Sequence, residues 1–361
     1  MRVIEGAARF KDPRTLTVGE IEIAARRFVI ATGSQPAVPP IAGLATVPHL
    51  TTDTVLDLEA CPAHLLVLGA GPQGLEFAQA FRRLGAEVTV LDAAAPLAEE
   101  DPECAAVVLD QLAREGIAVR RGGLDRVEAV AGSRVRLVPQ DGGETIEGSH
   151  VLIAGGRWAN VVGLGLDAGR IKYDEHGIAV DQGLRTTNPR VYAIGEVGGA
   201  TAAAADHQAG LVIRHALLRR SARFKADAIA RVILTDPELA QVGLTEAQAH
   251  HRGDRIRLLR WPYRENDRAQ AERARPGHIK VVTSVRGRIL GVTIVGAGAG
   301  ELITAWTLAI GCRIPLKAIA GMIVPHPTLS DIGKWAAATY FMSGFASSWV
   351  RRMIALLRRL G

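Results

Sequence analysis

His64–Asp92 reads HLLVLGAGPQGLEFAQAFRRLGAEVTVLD, and this stretch decides the fold. An apolar run, His64–Leu68, is followed by Gly69-Ala70-Gly71-Pro72-Gln73-Gly74, then by a segment with helical spacing, then by a second apolar run ending at Asp92. Strand, glycine turn, helix, strand is the βαβ unit in which G-x-G-x-x-G has a physical meaning. Gly69 makes the tight turn, Gly71 lets the backbone approach a pyrophosphate, and Gly74 lets helix pack on strand. The helix N-terminus offers free N–H groups to phosphates. Asp92 stands where a carboxylate accepts from a ribose 2′-hydroxyl and repels a 2′-phosphate, so the pattern predicts NAD(H) in preference to NADP(H). Phe77, Phe81 and Leu84 are expected on the buried helix face. The bland alternative is the same unit with a tight turn and no ligand.

Working outward, a second helix is expected from about Asp101, with Asp101 as N-cap and Pro102 in its first turn, ending at Gly116. GIAVRRG is the next strand, residues 124–147 form a three-strand meander, and HVLIAGG is a further buried strand. On the N-terminal side RVIEGAARF, TLTVGEIEI and RFVIATGS read as strands, and 35–62 as a connection. Beyond 157 come loops, the strand RVYAIGE and an alanine-rich helix over 201–219. From Arg231, strands (ARVILT, IRLLRWPY, HIKVVTSV, RILGVTIVG) alternate with helices at 245–251 and 300–311, which predicts a separate α+β domain.

The 361 residues are too many for one core and predict two or three domains. Net charge is +6, but the arginines are spread along the chain with few aromatics among them, which argues against nucleic acid. Residues 1–10 lack the apolar run of a signal peptide, and no stretch reaches the roughly 18 apolar residues of a membrane span. Cys61, Cys104 and Cys312 lie far apart with no CxxC or zinc spacing, so no metal site and a reducing, cytoplasmic setting are expected.

Further motifs occur in a fixed order: Ala31-Thr32-Gly33-Ser34, then Gly69–Glu76, then Gly155-Gly156-Arg157 with Asn160, then Tyr192-Ala193-Ile194-Gly195-Glu196, then Pro237-Glu238 with Val242-Gly243, then His326-Pro327-Thr328-Leu329-Ser330-Asp331. With these residues in this order the chain resembles the pyridine-nucleotide disulfide oxidoreductases, such as dihydrolipoamide dehydrogenase and mercuric reductase, from about Arg2 to about Ala337. The resemblance implies an α/β fold in which a Rossmann-like NAD-binding domain (59–153) is inserted in a partial FAD-binding domain (1–58 and 154–225). An α+β dimerisation domain (226–345) and a basic amphipathic C-terminal helix (346–361) follow. It implies an FAD- and NAD(P)H-dependent oxidoreductase, a homodimer, with a small-molecule or thiol-type acceptor.

The resemblance also assigns residues. Glu76 is implied near the nicotinamide. Ala31, Thr32, Gly33, Gly156, Arg157, Gly195, Glu196 and His207 are implied at FAD, and His326 with Asp331 as the proton-handling base. Two residues depart from the family pattern. Glu196 stands where Asp is usual and is one methylene longer, and Asp331 stands where Glu is usual and is expected to reach less far. In the family an earlier glycine fingerprint binds the ADP part of FAD, and a following helix carries C-x₄-C. Neither precedes Ala31 here, so the expectation is an N-terminally truncated chain or a misplaced start, in which that dithiol relay is absent and FAD binding is doubtful. An NAD(H)-binding dimer that has lost flavin chemistry fits the same residues.

In Ser347–Leu360, Trp349, Met353, Leu356, Leu357 and Leu360 share a helical face opposite Arg351, Arg352, Arg358 and Arg359. Docking on its own dimer is the preferred reading, and peripheral contact with a membrane surface is the other.

Overall fold

A computed structural model of the chain describes residues 2–345 apart from 133, 221, 222, 226 and 227, together with 352, 353 and 358. The amphipathic C-terminal helix expected over 346–361 therefore lies almost wholly outside the described residues. Two compact units are formed, one from 1–39 and 155–226, the other from 40–154 and 227–361. Among the described residues no helix is long and apolar enough to cross a membrane.

The first unit is built from short strands. Ala8–Asp12, Thr15–Val18 and Ile21–Ala24 form an antiparallel meander, so the single run TLTVGEIEI is in fact two strands. Gly19, in the left-handed region at φ +58°, makes the turn that breaks it. The strand expected from Arg2 starts only at Ala8. Phe28–Ile30 pairs in parallel with Val191–Ala193, and Ser34–Pro36 pairs antiparallel with Arg157–Ala159. Phe10, Phe28, Ile30, Val191 and Ala193 form one buried cluster, with the Phe10 and Phe28 rings edge to face at 5.5 Å. The alanine-rich helix spans Ala202–Ala216.

The second unit holds a five-stranded parallel sheet in the order Leu50–Thr51, His150–Ile153, His64–Leu68, Glu87–Asp92, Ala118–Arg121. Leu65, Leu66 and Val67 are fully buried on both faces, as a central parallel strand requires. Leu50–Thr51 belongs to this sheet and not to the segment preceding it. The helix Pro72–Arg83 buries Gly74, Leu75, Ala78 and Phe81, whereas Leu84 is 69% exposed. The buried face is thus rotated from the expected Phe77–Phe81–Leu84 stripe, because close packing at Gly74 sets which side meets the sheet. The second helix, Pro102–Arg114, starts as expected, with the Asp101 carboxylate accepting from the Glu103 N–H. The meander Leu124–Val130, Arg134–Pro139, Ile146–Gly148 also forms.

The remaining sheet is antiparallel, in the order Arg231–Ile233, Glu238–Gly243, Ile289–Gly296, His278–Ser284, Ile256–Pro262. It forms the α+β part that the change of pattern at Arg231 predicts, and it packs on the nucleotide-type sheet within the same compact unit. Ile233, Leu239 and Val295 share one buried cluster with Leu75, Ala78 and Leu112. Polar contacts reinforce this. Gln79 accepts from the Asp236 N–H and donates to the Asp236 carbonyl, while Arg83 reaches both Glu115 and Asp236. Two faces with complementary apolar and polar groups merge into one core, which alternation along the sequence does not reveal.

The Arg83 hydrogen bonds hold the Glu115 carboxyl at about 2, below its ordinary 4.5. A carboxylate whose folded pKa is depressed stabilises the fold above its unfolded pKa, and that contribution disappears as pH falls from about 4.5 towards about 2. Urea midpoints taken between about pH 5 and about pH 2.5 should fall steeply for the natural chain and less steeply for Glu115→Gln. Parallel acid limbs would show that Glu115 is not the group responsible.

Candidate functional site

The glycine loop is shaped by close contact on one side and open space on the other. Gly69 takes φ +120° and its N–H donates to Leu91 O at 2.9 Å, closing the turn between the two strands. A Cβ on Gly74 would stand 2.0 Å from Gly69 O, so only glycine lets the helix pack this close. A Cβ on Gly71 would meet nothing within 4 Å, which leaves room over the helix N-terminus for a ligand. Gly71 is the N-cap and Pro72 is the first helical residue, where its missing N–H costs nothing. The Leu75 N–H is bonded to Gly71 O, so Gln73 and Gly74 supply the N–H groups that face the open side.

Asp92 ends the next strand. Its Oδ2 accepts from the Ala70 N–H at 2.7 Å and its Oδ1 from the Ala94 N–H at 2.9 Å. The carboxylate therefore locks the glycine loop and its own turn, and each oxygen keeps a second lone pair that can accept from ribose hydroxyls. Glu76 Oε1 accepts from the Leu234 N–H at 2.7 Å. Burial raises its carboxyl above the ordinary range against the opposing pull of that bond. Glu76 thus fastens the fingerprint helix to the segment entering the antiparallel sheet.

In the first unit, Ala31–Ser34 is laced to Arg157–Asn160. The Thr32 hydroxyl donates to Asn160 O, the Asn160 side chain donates to Thr32 O, and the Asn160 N–H donates to Gly33 O. Gly33 is left-handed at φ +67°, and a Cβ there would meet nothing within 4 Å, as is also true of Gly156. The Ser34 hydroxyl accepts from Arg157 Nε at 2.7 Å and donates to Glu196 Oε2 at 2.5 Å. The extra methylene of Glu196 is what carries its carboxylate to Ser34. Gly195, at φ +70°, is held by its N–H donating to Gln208 Oε1 at 2.7 Å. These glycine corners with open space beside them, and a half-exposed carboxylate between them, fit the approach of a flavin cofactor's polar chain. His207 is exposed, 6.4 Å from the Phe224 ring. Its neighbour Gln208 is buried and makes the bond to Gly195.

His326 and Asp331 are brought together as the motif predicts: Nδ1 lies 3.0 Å from Oδ2. The shorter Asp331 arm does reach, because Asp331 starts the helix Asp331–Phe345 immediately after the turn. Asp331 is buried and the His326 side chain is 64% exposed. A carboxylate fixed on one ring nitrogen sets the tautomer and leaves the other nitrogen for proton transfer. That second nitrogen, Nε2, lies 3.4 Å from Asp267. The dyad lines a cleft of about 480 Å³ with Lys334 and the stacked Trp261 and Trp335 rings.

Sequence reasoning did not single out Ser34 as the link between Arg157 and Glu196, nor Gln208, nor Asp267. Gln208 and Asp267 lie outside the motifs, and nothing in their spacing marks them.

The family model described as pyridine nucleotide-disulphide oxidoreductase matches residues 1–212, and its dimerisation-domain model matches 229–337. The mercuric reductase of Streptomyces lividans is 35% identical over 94% of this chain and 74% of its own length. The dihydrolipoyl dehydrogenase of Thermus scotoductus is 36% identical over 92% of this chain and 73% of its own length. Other mercuric reductases are longer, and the chain spans 63% of the Lysinibacillus sphaericus protein and 55% of that from Bacillus cereus. The solved structure of LpdA from Mycobacterium tuberculosis superposes with a TM-score of 0.84 at 29% identity, covering 94% of this chain and 77% of that one.

Proposed function

The chain belongs to the pyridine nucleotide-disulphide oxidoreductases, flavoproteins that use FAD and a pyridine nucleotide, and from that premise we propose that it is an FAD- and NADH-dependent oxidoreductase acting as a homodimer. The observation that carries the nucleotide half is the glycine loop locked to Asp92, open over Gly71. Gln73 and Gly74 N–H groups bind the pyrophosphate, and Asp92 accepts from the adenosine ribose. The Asp92 carboxylate repels a 2′-phosphate, which favours NADH. FAD, when bound, would supply the hydride-accepting redox chemistry. Gly33, Gly156 and Gly195 would give it backbone to approach, and Glu196, positioned by Ser34, would hold its polar chain. His326, oriented by Asp331, moves a proton at Nε2 for the acceptor.

The test is the visible spectrum of the purified chain, with FAD and then NADH added under anaerobic conditions. A flavin band that bleaches on NADH supports the reading. NADH binding without retained flavin leaves an NAD(H)-binding protein and overturns it. Asp92→Ala should weaken NADH binding by about 1–2 kcal/mol, the scale of hydrogen bonds to a charged group, and should narrow the preference over NADPH. An unchanged dissociation constant for both nucleotides would place their ribose elsewhere.

A further inference from the structure

A second cleft, of about 500 Å³, lies within the antiparallel-sheet part of the second unit, and none of the fingerprint or His326 residues lines it. Four arginines surround it: Arg252, Arg286, Arg288 and Arg313. The acid in its lining is Asp254, whose Oδ2 is 3.5 Å from Arg252 Nε. Among the described residues Arg286, Arg288 and Arg313 make no ion pair. The floor is apolar, with Ile289 and Ala309 buried and Ile310 and Ile314 beside them.

The backbone under each arginine is fixed. Arg252 caps the helix Glu246–His251, its N–H donating to Gln248 O and His250 O. Arg286 and Arg288 flank Gly287 in the hairpin after His278–Ser284. There the Gly287 N–H donates to Ser284 O and the Ser284 N–H to Arg288 O, while the Tyr340 hydroxyl donates to Val285 O. Arg313 follows the helix Ala299–Gly311, held by its N–H on Ile310 O and by the Ile314 N–H on Ala309 O.

Three uncompensated guanidinium groups facing one cleft repel each other, and a multiply charged anion relieves that repulsion. Guanidinium forks match phosphate oxygens two at a time, and fixed backbones reduce the ordering cost of binding. An apolar floor has no use for a bare anion but holds the organic part of a larger one. We propose that this cleft binds an organic phosphate carrying two or more negative charges and an apolar or planar moiety, at a site distinct from the dinucleotide loop.

The probe is ATP, titrated calorimetrically into the full chain saturated with NADH, at low and at raised salt. The expected result is ATP binding in the presence of NADH that weakens with salt. In the double variant Arg286→Ser/Arg288→Ser it should weaken about tenfold or more, the scale of a lost charge-assisted hydrogen bond, with NADH affinity unchanged. Tripolyphosphate should bind more weakly than ATP. Displacement of ATP by NADH, equal ATP affinity in the double variant, or no ATP binding at low salt would each overturn the proposal. Tripolyphosphate binding as tightly as ATP would overturn the organic moiety. Because both arginines are exposed, the variants should keep the natural circular dichroism and unfolding midpoint, so loss of binding is not loss of fold.

Discussion

Lys280→Met should destabilise the chain by about 3–5 kcal/mol, the scale of an uncompensated buried charge. The Lys280 side chain is 4% exposed, and its ammonium lies 2.7 Å from Asp101, 2.6 Å from Glu246 and 3.2 Å from Glu103. Burial pulls its pKa down, but the hydrogen bonds it donates to Asp101 and Glu246 raise it on balance, so it stays charged across the working range. Around it, Arg260 grips both oxygens of Glu103 and holds that carboxyl at about 2. Methionine matches the length of lysine but leaves Asp101, with 1% of its side chain exposed, without its counter-charge. Asp101 is also the N-cap of Pro102–Arg114, so the damage reaches the helix beside the nucleotide sheet. Urea unfolding of Lys280→Met and of Lys280→Met/Asp101→Asn separates the terms: removing the stranded charge should recover part of the loss. By contrast, the exposed Arg268–Glu272 pair should be worth less than about 1 kcal/mol. A loss at Lys280 as small as that would show the network to be hydrated and loosely held.

Lys280 also marks where the sequence stops being legible. Each of its partners sits in a segment whose own structure is readable. Asp101 is a helix cap before a proline, and Lys280 lies in the β run His278–Ser284, buried like the residues on either side of it. Their meeting joins residues nearly half the chain apart, and no local period encodes it. The same holds for the cluster that joins Leu75 and Leu112 to Ile233 and Val295. The α+β pattern from Arg231, the parallel strands and the helix starting at Pro102 follow directly from pattern and caps, whereas the packing of the antiparallel sheet on the nucleotide sheet does not. Local patterning also misleads where a single contact overrides it. Phe77, Phe81 and Leu84 have helical spacing, yet the close packing that Gly74 permits, where a Cβ would stand 2.0 Å from Gly69 O, turns Leu75 and Ala78 inward.

The candidate site divides in the same way. Motifs supply His326 with Asp331, the glycine loop with Asp92, and the corners at Gly33 and Gly195. They do not supply the residues that hold those parts still. Ser34 positions Glu196, and Gln208 holds Gly195 from the middle of an alanine-rich helix. His207, beside it, is the residue whose type suggests chemistry, but helical rotation turns the amide inward and the imidazole out.

The loop itself gives the other large effect, through two glycines three residues apart. Gly71→Val and Gly74→Val should each abolish measurable NADH binding, a loss of about 100-fold or more, for opposite reasons. At Gly71 the backbone is extended, φ −77° and ψ −177°, which valine adopts, and its Cβ meets nothing within 4 Å. The fold should tolerate the change within about 0.5 kcal/mol, while the isopropyl group fills the space over the helix N-terminus that the pyrophosphate needs. At Gly74 the Cβ is driven to 2.0 Å from Gly69 O and 3.4 Å from the Ala154 Cβ. Backbone on one side cannot rotate away, so helix and strand must part, a destabilisation of about 1–3 kcal/mol or more. NADH titration by fluorescence, with urea midpoints on the same samples, distinguishes the two. Gly71→Val that folds normally and still binds NADH would mean the open face above Gly71 is not the phosphate site. Gly71→Val that unfolds would mean that the face is closed in solution, and that Asp92 holds the loop for packing instead of for a ligand.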